Sequence, residues 1–89
     1  IGSNSIISQN SFLCTASHNY NSKNFELITK KIRIKNNVWV AANCFVGPGV
    51  IMNKNSVLLA MSCLITDTKK DYIYSGNPAK LKKKRSKIF

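Results

Sequence analysis

The amino-acid sequence predicts an all-β fold, a parallel β-helix in which short strands coil around a narrow triangular core. Three observations predict it: aliphatic residues recur every six positions, a small or β-branched residue follows each of them four positions later, and Asn or Gly recurs in a third phase of the repeat. A period of six is too short for a helical hairpin and fits short strands that stack turn upon turn. Strands of a sandwich would instead alternate with a period of two.

The aliphatic phase marks the side chains that enter the core. Its members are Ile1, Ile7 and Leu13, and then, after an interruption, Ile34, Val40, Val46, Met52, Leu58 and Leu64. Three hexapeptides make one turn, so residues eighteen apart should stack about 4.8 Å apart along the axis. The predicted stacked pairs are Ile34 with Met52, Val40 with Leu58, and Val46 with Leu64.

The other two phases mark the corners of the coil. The small or β-branched residues are Ser5, Ser11, Ser17, Val38, Cys44, Val50, Ser56, Ser62 and Thr68, and they suit positions where little room remains. A corner needs left-handed backbone, which Asn and Gly tolerate. The predicted corner residues are Asn4, Asn10, Asn37, Asn43, Gly49 and Asn55.

Length limits the chain to one domain, because 89 residues supply only about three coils and a slender core. We expect coils over residues 1–69 with a loop at 19–33, and a basic extension at 70–89. The repeat is already in progress at Ile1, which leads us to expect earlier coils upstream. The residues present contain no signal peptide or membrane span.

The three cysteines, Cys14, Cys44 and Cys63, fall on repeat positions and match no metal spacing. Buried thiols in a reducing cytoplasm are the favoured interpretation, with a disulfide or a zinc site as the alternative. No metal is expected.

The charge is strongly positive, with fourteen Lys and Arg, three acids and a net charge of +11 at pH 7. Much of it lies in the tail, at Lys80, Lys82, Lys83, Lys84, Arg85 and Lys87. Such a tail can bind a phosphorylated cofactor, nucleic acid or an anionic membrane, or it can be a solvated end. Nucleic acid is disfavoured because no aromatic residues interleave with the lysines for base stacking.

The repeat is interrupted over residues 19–33, directly after His18, the only histidine. A loop that leaves a regular scaffold is a common place for a functional site. An imidazole can accept a proton near neutral pH, so His18 is the candidate catalytic residue. The alternative is a surface histidine without a role.

Several segments resemble a known family. They are residues 14–20 (Cys-Thr-Ala-Ser-His-Asn-Tyr), 38–42 (Val-Trp-Val-Ala-Ala), 46–50 (Val-Gly-Pro-Gly-Val), 60–62 (Ala-Met-Ser) and 75–80 (Ser-Gly-Asn-Pro-Ala-Lys). Their order and near-spacing resemble the C-terminal part of the hexapeptide-repeat acyltransferases, especially the maltose and galactoside O-acetyltransferases and the acetyltransferases of exopolysaccharide synthesis. The resemblance implies a left-handed β-helix, a homotrimer with active sites between subunits, and acetyl transfer from acetyl-CoA to a sugar hydroxyl.

The resemblance also assigns roles to residues. It implies that His18 is the general base on the acceptor hydroxyl, and that Trp39 lines the acceptor and thioester end of the site. The residues that it assigns to the cofactor are Ala42 and Ala60 at the pantetheine arm, Ile65 and Thr66 nearby, and Lys80 and Lys83 near the phosphates. No covalent enzyme intermediate is required, because a positioned base suffices for direct attack of a hydroxyl on a thioester.

One departure from the family pattern opens a second interpretation. Where the family usually has Gly-Ala-Gly-Ser, this chain has Leu-Ala-Met-Ser at 59–62, with bulky side chains beside the expected cofactor groove. The alternative to the enzyme is therefore a catalytically inactive scaffold or degenerate fragment that only trimerises. The identity of the sugar acceptor, and whether an amine replaces the hydroxyl, stay open.

Overall fold

The computed structural model describes residues 1–86, and within that range the regular secondary structure is entirely β. The strands are β1 (Ile6–Ile7), β2 (Phe12–Leu13), β3 (Ala16–His18), β4 (Leu27–Thr29), β5 (Arg33–Ile34), β6 (Trp39–Val40), β7 (Phe45–Val46), β8 (Ile51–Met52), β9 (Val57–Leu58), β10 (Cys63–Leu64), β11 (Tyr72–Gly76) and β12 (Ala79–Lys84). Most have only two residues, because the chain turns a corner after each one.

The strands build a three-sided prism. The first face stacks β1, β6, β9 and β11 in parallel and adds β12 antiparallel at its edge; the second stacks β2, β7 and β10. The third stacks β5 on β8, and Thr68 bridges to Met52 below them. Corner I joins the first face to the second, corner II the second to the third, and corner III the third to the first.

The predicted stacking inside the prism is confirmed. The registers pair Ile34 with Met52, Val40 with Leu58, and Val46 with Leu64. All six side chains are buried, and a fully buried side chain of this size stabilises the fold by about 1.5–3 kcal/mol. The core therefore runs as three adjoining columns along the axis of the coil.

The predicted corners are also confirmed. Each of the six Asn and Gly positions has a positive φ, between 56° at Asn37 and 78° at Gly49. Gly49 has a second constraint, because a Cβ there would lie 3.2 Å from the side chain of Lys30. Met61 occupies the equivalent slot of corner I, one coil below Asn43, with φ 66°. A left-handed backbone there costs a residue other than glycine about 1–2 kcal/mol.

Serines at the corners link one coil to the next. Ser5 Oγ donates to the carbonyl of Lys35 at 2.7 Å and accepts from the amide of Val38 at 3.1 Å. Ser11 Oγ makes the equivalent pair of bonds, with the carbonyl of Ala41 at 2.8 Å and the amide of Cys44 at 3.2 Å. The small residue of the repeat is thus a polar connector as well as a compact one.

The interruption of the repeat forms a β-hairpin at corner II. Strands β3 and β4 pair antiparallel, with Ala16 opposite Thr29 and His18 opposite Leu27. The hairpin therefore begins at Ala16, three residues before the predicted loop, because residues 16–18 bond to β4 instead of to a neighbouring coil. At its base the amide of Gly49 donates to the carbonyl of Lys30 at 3.3 Å, which ties it to the coil below.

The predicted extension begins inside the coil rather than outside it. Strand β11 continues the first face, with Ile73 opposite Val57, and β12 then turns back along it. After β12, the Arg85 guanidinium donates from Nη1 to the carbonyl of Asn37 at 2.8 Å. Lys87, counted above in the basic tail, lies outside the described residues. Within residues 1–86, no helix is long and apolar enough to cross a membrane.

Candidate active site

His18 lies at the end of β3, where the hairpin leaves the coil. Its Nδ1 is 2.9 Å from the carbonyl oxygen of Phe25, and the ring is exposed. A carbonyl can only accept a hydrogen bond, so Nδ1 is the donor, and in the neutral imidazole the lone pair is then on Nε2. In this tautomer Nε2 is the proton acceptor.

The tip of the hairpin holds that carbonyl in place. Phe25 has φ 49°, a left-handed conformation that is uncommon for a bulky residue. Two turns fix the tip, with the Ser22 amide donating to Asn19 at 3.0 Å and the Phe25 amide donating to Ser22 at 3.2 Å. The Asn19 amide donates to the carbonyl of Glu26 at 2.8 Å, so the strained residue is held between two anchored ones.

Trp39 lies on the outer side of the first face, in β6, with 43% of its surface exposed. Its indole Nε1 donates to Ser8 Oγ at 2.9 Å. In the ladder it lies between Ile6 above and Val57 below. The indole is therefore fixed in orientation while one side of it stays accessible.

Ala42 and Ala60 lie in successive turns of corner I. The amide of Met61 donates to the carbonyl of Ala42 at 3.1 Å, which places the two turns one above the other. Beneath the corner, the Cys44 thiol donates to the carbonyl of Leu59 at 3.1 Å, and burial raises its pKa. Cys44 is consequently held in its protonated form and acts as a structural donor.

Ile65 and Thr66 lie at corner II, one coil below the turn that faces the base of the hairpin. Both are exposed. The next residue, Asp67, accepts the amide of Ile51 at 2.8 Å on its Oδ1, which fixes this turn against the coil above. These two residues therefore share a corner with the hairpin that carries His18.

Lys80 and Lys83 lie on β12 at the edge of the first face, opposite Ser75 and Ile73. Both side chains are exposed. Arg85 differs from them, since its guanidinium is occupied by backbone carbonyls at corner III. Only part of the basic tail is thus free to meet an anion.

The sequence-predicted site residues fall into two groups at different places on the prism. His18, Ile65 and Thr66 belong to corner II, whereas Trp39, Ala42, Ala60 and the two lysines belong to the first face, its edge and corner I. Sequence reasoning missed Phe25 and Ser8, the partners that orient His18 and Trp39, because neither carries a spacing or composition signal. No cluster of potential metal ligands occurs in the part of the chain that the structure describes, and its three cysteines are free.

Comparison with known proteins gives a consistent result, although no family profile matches the chain. A protein of Escherichia coli strain K12 assigned to colanic acid biosynthesis as an acetyltransferase, WcaF, is 38% identical over 79 residues, which cover 89% of this chain and 43% of that protein. The galactoside O-acetyltransferase of the same strain is 32% identical over 84 residues, 91% of this chain and 41% of that protein. The chain thus spans less than half the length of these relatives.

Solved structures agree with the sequence relatives. A galactoside acetyltransferase in complex with coenzyme A superimposes with a TM-score of 0.86 at 29% identity, covering 92% of this chain and 42% of that one. A hexapeptide-repeat-containing acetyltransferase of Vibrio cholerae in complex with acetyl coenzyme A gives 0.80 at 29% identity, covering 86% and 44%. Sequence and fold together confirm that this chain resembles the hexapeptide-repeat acetyltransferases and that its strands coil as a left-handed parallel β-helix.

Proposed function

We propose that this chain supplies the catalytic coils of an acetyltransferase that moves an acetyl group from acetyl-CoA to a sugar hydroxyl. The observation that carries the proposal is the hydrogen bond between His18 Nδ1 and the carbonyl of Phe25, which leaves Nε2 free as a base. Support also comes from the similar proteins, among them a galactoside acetyltransferase bound to coenzyme A and a protein assigned to colanic acid biosynthesis.

The chemistry assigned to His18 is proton transfer. An alcohol is a weak nucleophile at neutral pH, and removal of its proton by a positioned imidazole contributes about 10²–10⁴ in rate. His18 Nε2 takes the hydroxyl proton as the oxygen attacks the acetyl carbonyl, and it returns that proton to the sulfur as the carbon–sulfur bond breaks. Acetyl-CoA supplies the activated acetyl group as a thioester.

The residues of the first face and corner I fit the donor. Ala42 and Ala60 have short side chains, which leave the backbone of corner I accessible to the amides of a pantetheine arm. Lys80 and Lys83 offer exposed ammonium groups for phosphates, and Trp39 offers an apolar plane near the reacting end. Ile65 and Thr66 at corner II complete the set proposed to contact the donor.

We also propose a homotrimer, which the same placement supports. One chain puts His18 at corner II and the alanines at corner I, so a site that uses both is completed when corner II of one subunit meets corner I of the next. The second face favours such packing, because Phe12 and Phe45 form an edge-to-face pair there with centroids 5.8 Å apart, and Phe12 is exposed. Free thiols and the use of acetyl-CoA support a cytoplasmic location.

The proposal is tested by thiol release from acetyl-CoA in the presence of a panel of sugar and amino-sugar acceptors. His18→Ala is expected to lower turnover by about 10²–10⁴ while the circular dichroism spectrum is unchanged. Lys23→Ala, an exposed change in the same hairpin, is the matched control and should leave turnover as it was. Undiminished turnover in His18→Ala would remove the histidine from the mechanism.

The second candidate function is an inactive trimerising scaffold, which Leu59 and Met61 favour because both side chains are exposed at corner I. It predicts a trimer by light scattering, no thiol release with any acceptor, and no heat of acetyl-CoA binding in calorimetry. The same preparation of protein therefore distinguishes the two functions.

A further inference from the structure

The last strand of the first face, β12, has an inner side that the proposed function does not use. Residues directly opposite one another in an antiparallel ladder lie on the same side of the sheet. Leu81 lies opposite Tyr74 and Lys84 lies opposite Tyr72, and both tyrosines pack against the core. Leu81 and Lys84 therefore lie on the side of β12 that faces the axis of the coil, at the lower end of the prism.

The lysines assigned to the donor phosphates lie on the other side of the same strand. Lys80 is opposite Ser75 and Lys83 is opposite Ile73, and neighbouring residues of a strand point to opposite faces. Lys82 is the extra residue of a β-bulge, which preserves this alternation along the strand. The two sides of β12 are consequently separate surfaces that can be tested separately.

The turn of corner III in the last coil lies beside the inner side of β12. The Lys69 amide donates to the hydroxyl of Tyr74 at 2.8 Å, and the Arg85 amide donates to the carbonyl of Asp71 at 2.6 Å. These two bonds tie the turn to the β11–β12 ladder, because Tyr74 lies on β11 and Arg85 directly follows β12. Lys69 and Lys70 therefore belong to the same end of the molecule as the inner side of β12.

Four exposed lysines and one leucine make up this end, which we call the basal surface: Lys69, Lys70, Leu81, Lys82 and Lys84. Leu81 is 42% exposed. The two acids of the last coil are engaged elsewhere, since Asp67 Oδ1 accepts the amide of Ile51 and Asp71 Oδ1 accepts from Asn55 Nδ2, each at 2.8 Å. The basal surface thus combines positive charge with an apolar side chain among the lysines.

We propose that the basal surface docks onto an anionic lipid bilayer, an interaction that goes beyond the proposed function and does not depend on it. Acidic headgroups attract lysines near a bilayer, and the aliphatic stems of the lysines cover apolar surface. Leu81 supplies an apolar contact that a soluble polyanion would leave unused. Residues 79–86 contain no aromatic side chain on which nucleic-acid bases could stack, which favours lipid over nucleic acid.

Flotation of the protein with lipid vesicles tests the proposal. Vesicles of phosphatidylglycerol and phosphatidylcholine in equal parts should carry the protein at physiological ionic strength, and vesicles of phosphatidylcholine alone should not. A lysine near an anionic surface contributes about fivefold in affinity, so Lys69→Gln combined with Lys70→Gln should weaken binding about 25-fold. Leu81→Gln should weaken it about three- to tenfold, and this deficit should persist at high salt, where the lysine contributions are screened.

The matched control removes the same charge elsewhere. Lys31→Gln combined with Lys35→Gln changes two exposed lysines beside β5, where Ile34 lies two coils above Thr68. Two coils correspond to roughly 10 Å, beyond the screening length of about 8 Å at physiological salt. This pair should therefore alter vesicle affinity by less than about threefold. Urea unfolding of every variant checks that the fold is retained.

Three results would overturn the proposal: no flotation with phosphatidylglycerol vesicles, equal flotation with both kinds of vesicle, and equal loss in the two lysine pairs, which would assign binding to the net charge of the molecule. Binding of inorganic polyphosphate that the Lys69 and Lys70 substitutions abolish, without flotation, would assign the basal surface to a soluble polyanion and also overturn it. Thiol release from acetyl-CoA is measured separately, so none of these outcomes bears on the proposed acetyl transfer.

Discussion

The coil and the hairpin of residues 16–29 are built on different principles. In the coil every sixth side chain from Ile34 to Leu64 is buried, and it packs against its equivalent in the adjoining turn, as Val40 does with Leu58. The hairpin has no such repeat, and it exposes Tyr20, Phe25 and Leu27. Its own ladder and backbone hydrogen bonds at its base hold it. Stability therefore resides in the periodic part of this chain, and the candidate base in the aperiodic part.

The difference has a physical cause. A core residue of the coil meets the same limit on side-chain size and polarity as its equivalent one turn away, because both fill the same narrow core. A hairpin residue is specified by one local geometry, such as the carbonyl that orients His18. Substitutions of buried residues in the coil should therefore reduce the free energy of unfolding, whereas substitution of His18 in the hairpin should reduce turnover.

The largest expected effect on stability comes from the same chemical change made in both regions. Leu58→Ala removes a side chain with 0% exposure and is expected to lower the free energy of unfolding by about 2–5 kcal/mol. Leu27→Ala, in the hairpin at 63% exposure, should change it by less than about 0.5 kcal/mol. Urea unfolding at one fixed protein concentration measures both, since an oligomer's stability depends on concentration.

The same two variants also test whether the hairpin is energetically separate from the core. Equal destabilisation by Leu27→Ala would show that the hairpin contributes to a core, for instance one formed with a second subunit. His18→Ala provides the third measurement. It should change the free energy of unfolding as little as Leu27→Ala does, and unlike Leu27→Ala it should lower turnover.

A smaller effect on stability is expected from Arg85, which lies where the coil meets the tail. Arg85 lies in the basic tail by sequence, yet its Nη1 donates to the carbonyl of Asn37 at 2.8 Å and, at 3.4 Å, to that of Asn55. Arg85→Gln is expected to cost about 1–2 kcal/mol of unfolding free energy, since the bonds are charge-assisted but partly exposed. Lys82→Gln, on an exposed side chain of β12, should cost almost nothing.

The measurement for Arg85 is again the urea midpoint, with acetyl-CoA affinity followed in parallel. Arg85→Lys should not restore the loss, because an ammonium group cannot reproduce the fork of the guanidinium. A drop in donor affinity without a drop in stability would instead place Arg85 with the phosphate-binding lysines.

The sequence predicted the coil well because its signal is repeated. Three phases of one period gave the stacked pairs, the corners and the position of the interruption. The pairing of Ala16 with Thr29 was not predictable in this way, since residues 13–18 still read as a hexapeptide and their partner strand lies outside the repeat. Nor was the left-handed Phe25, because phenylalanine carries no preference for that conformation.

The candidate site was predictable in part. The position of His18 beside the interruption identified it as a candidate. The phase of the repeat places Ala42 and Ile65 at different corners, with the second face between them. The six-residue repeat could not predict the direction of the hairpin or the carbonyl that orients the imidazole, because both depend on antiparallel pairing. Arg85 is a similar case, since its role follows from where β12 ends and not from its charge.

The smallest expected effect concerns Lys80 and Lys83, the free part of the tail. Exposed charge pairs contribute about 0.2–1 kcal/mol each, so Lys80→Ala and Lys83→Ala should each raise the KM for acetyl-CoA by about 1.5- to 5-fold. The KM for the acceptor should barely change, and the effect should shrink as salt is added. Dephospho-acetyl-CoA, which lacks one phosphate, should respond less to both substitutions.

A lysine elsewhere on the prism separates local contact from overall charge. Lys54 lies in a turn of corner III, where the amide of Asp71 donates to its carbonyl, on the corner that carries none of the proposed site residues. Lys54→Ala lowers the net charge of +11 by the same amount as either tail substitution. If all three variants raise the KM for acetyl-CoA equally, the lysines act through the field of the whole molecule. If only Lys80→Ala and Lys83→Ala do, the phosphates of the donor lie along β12, at the edge of the face that carries Trp39.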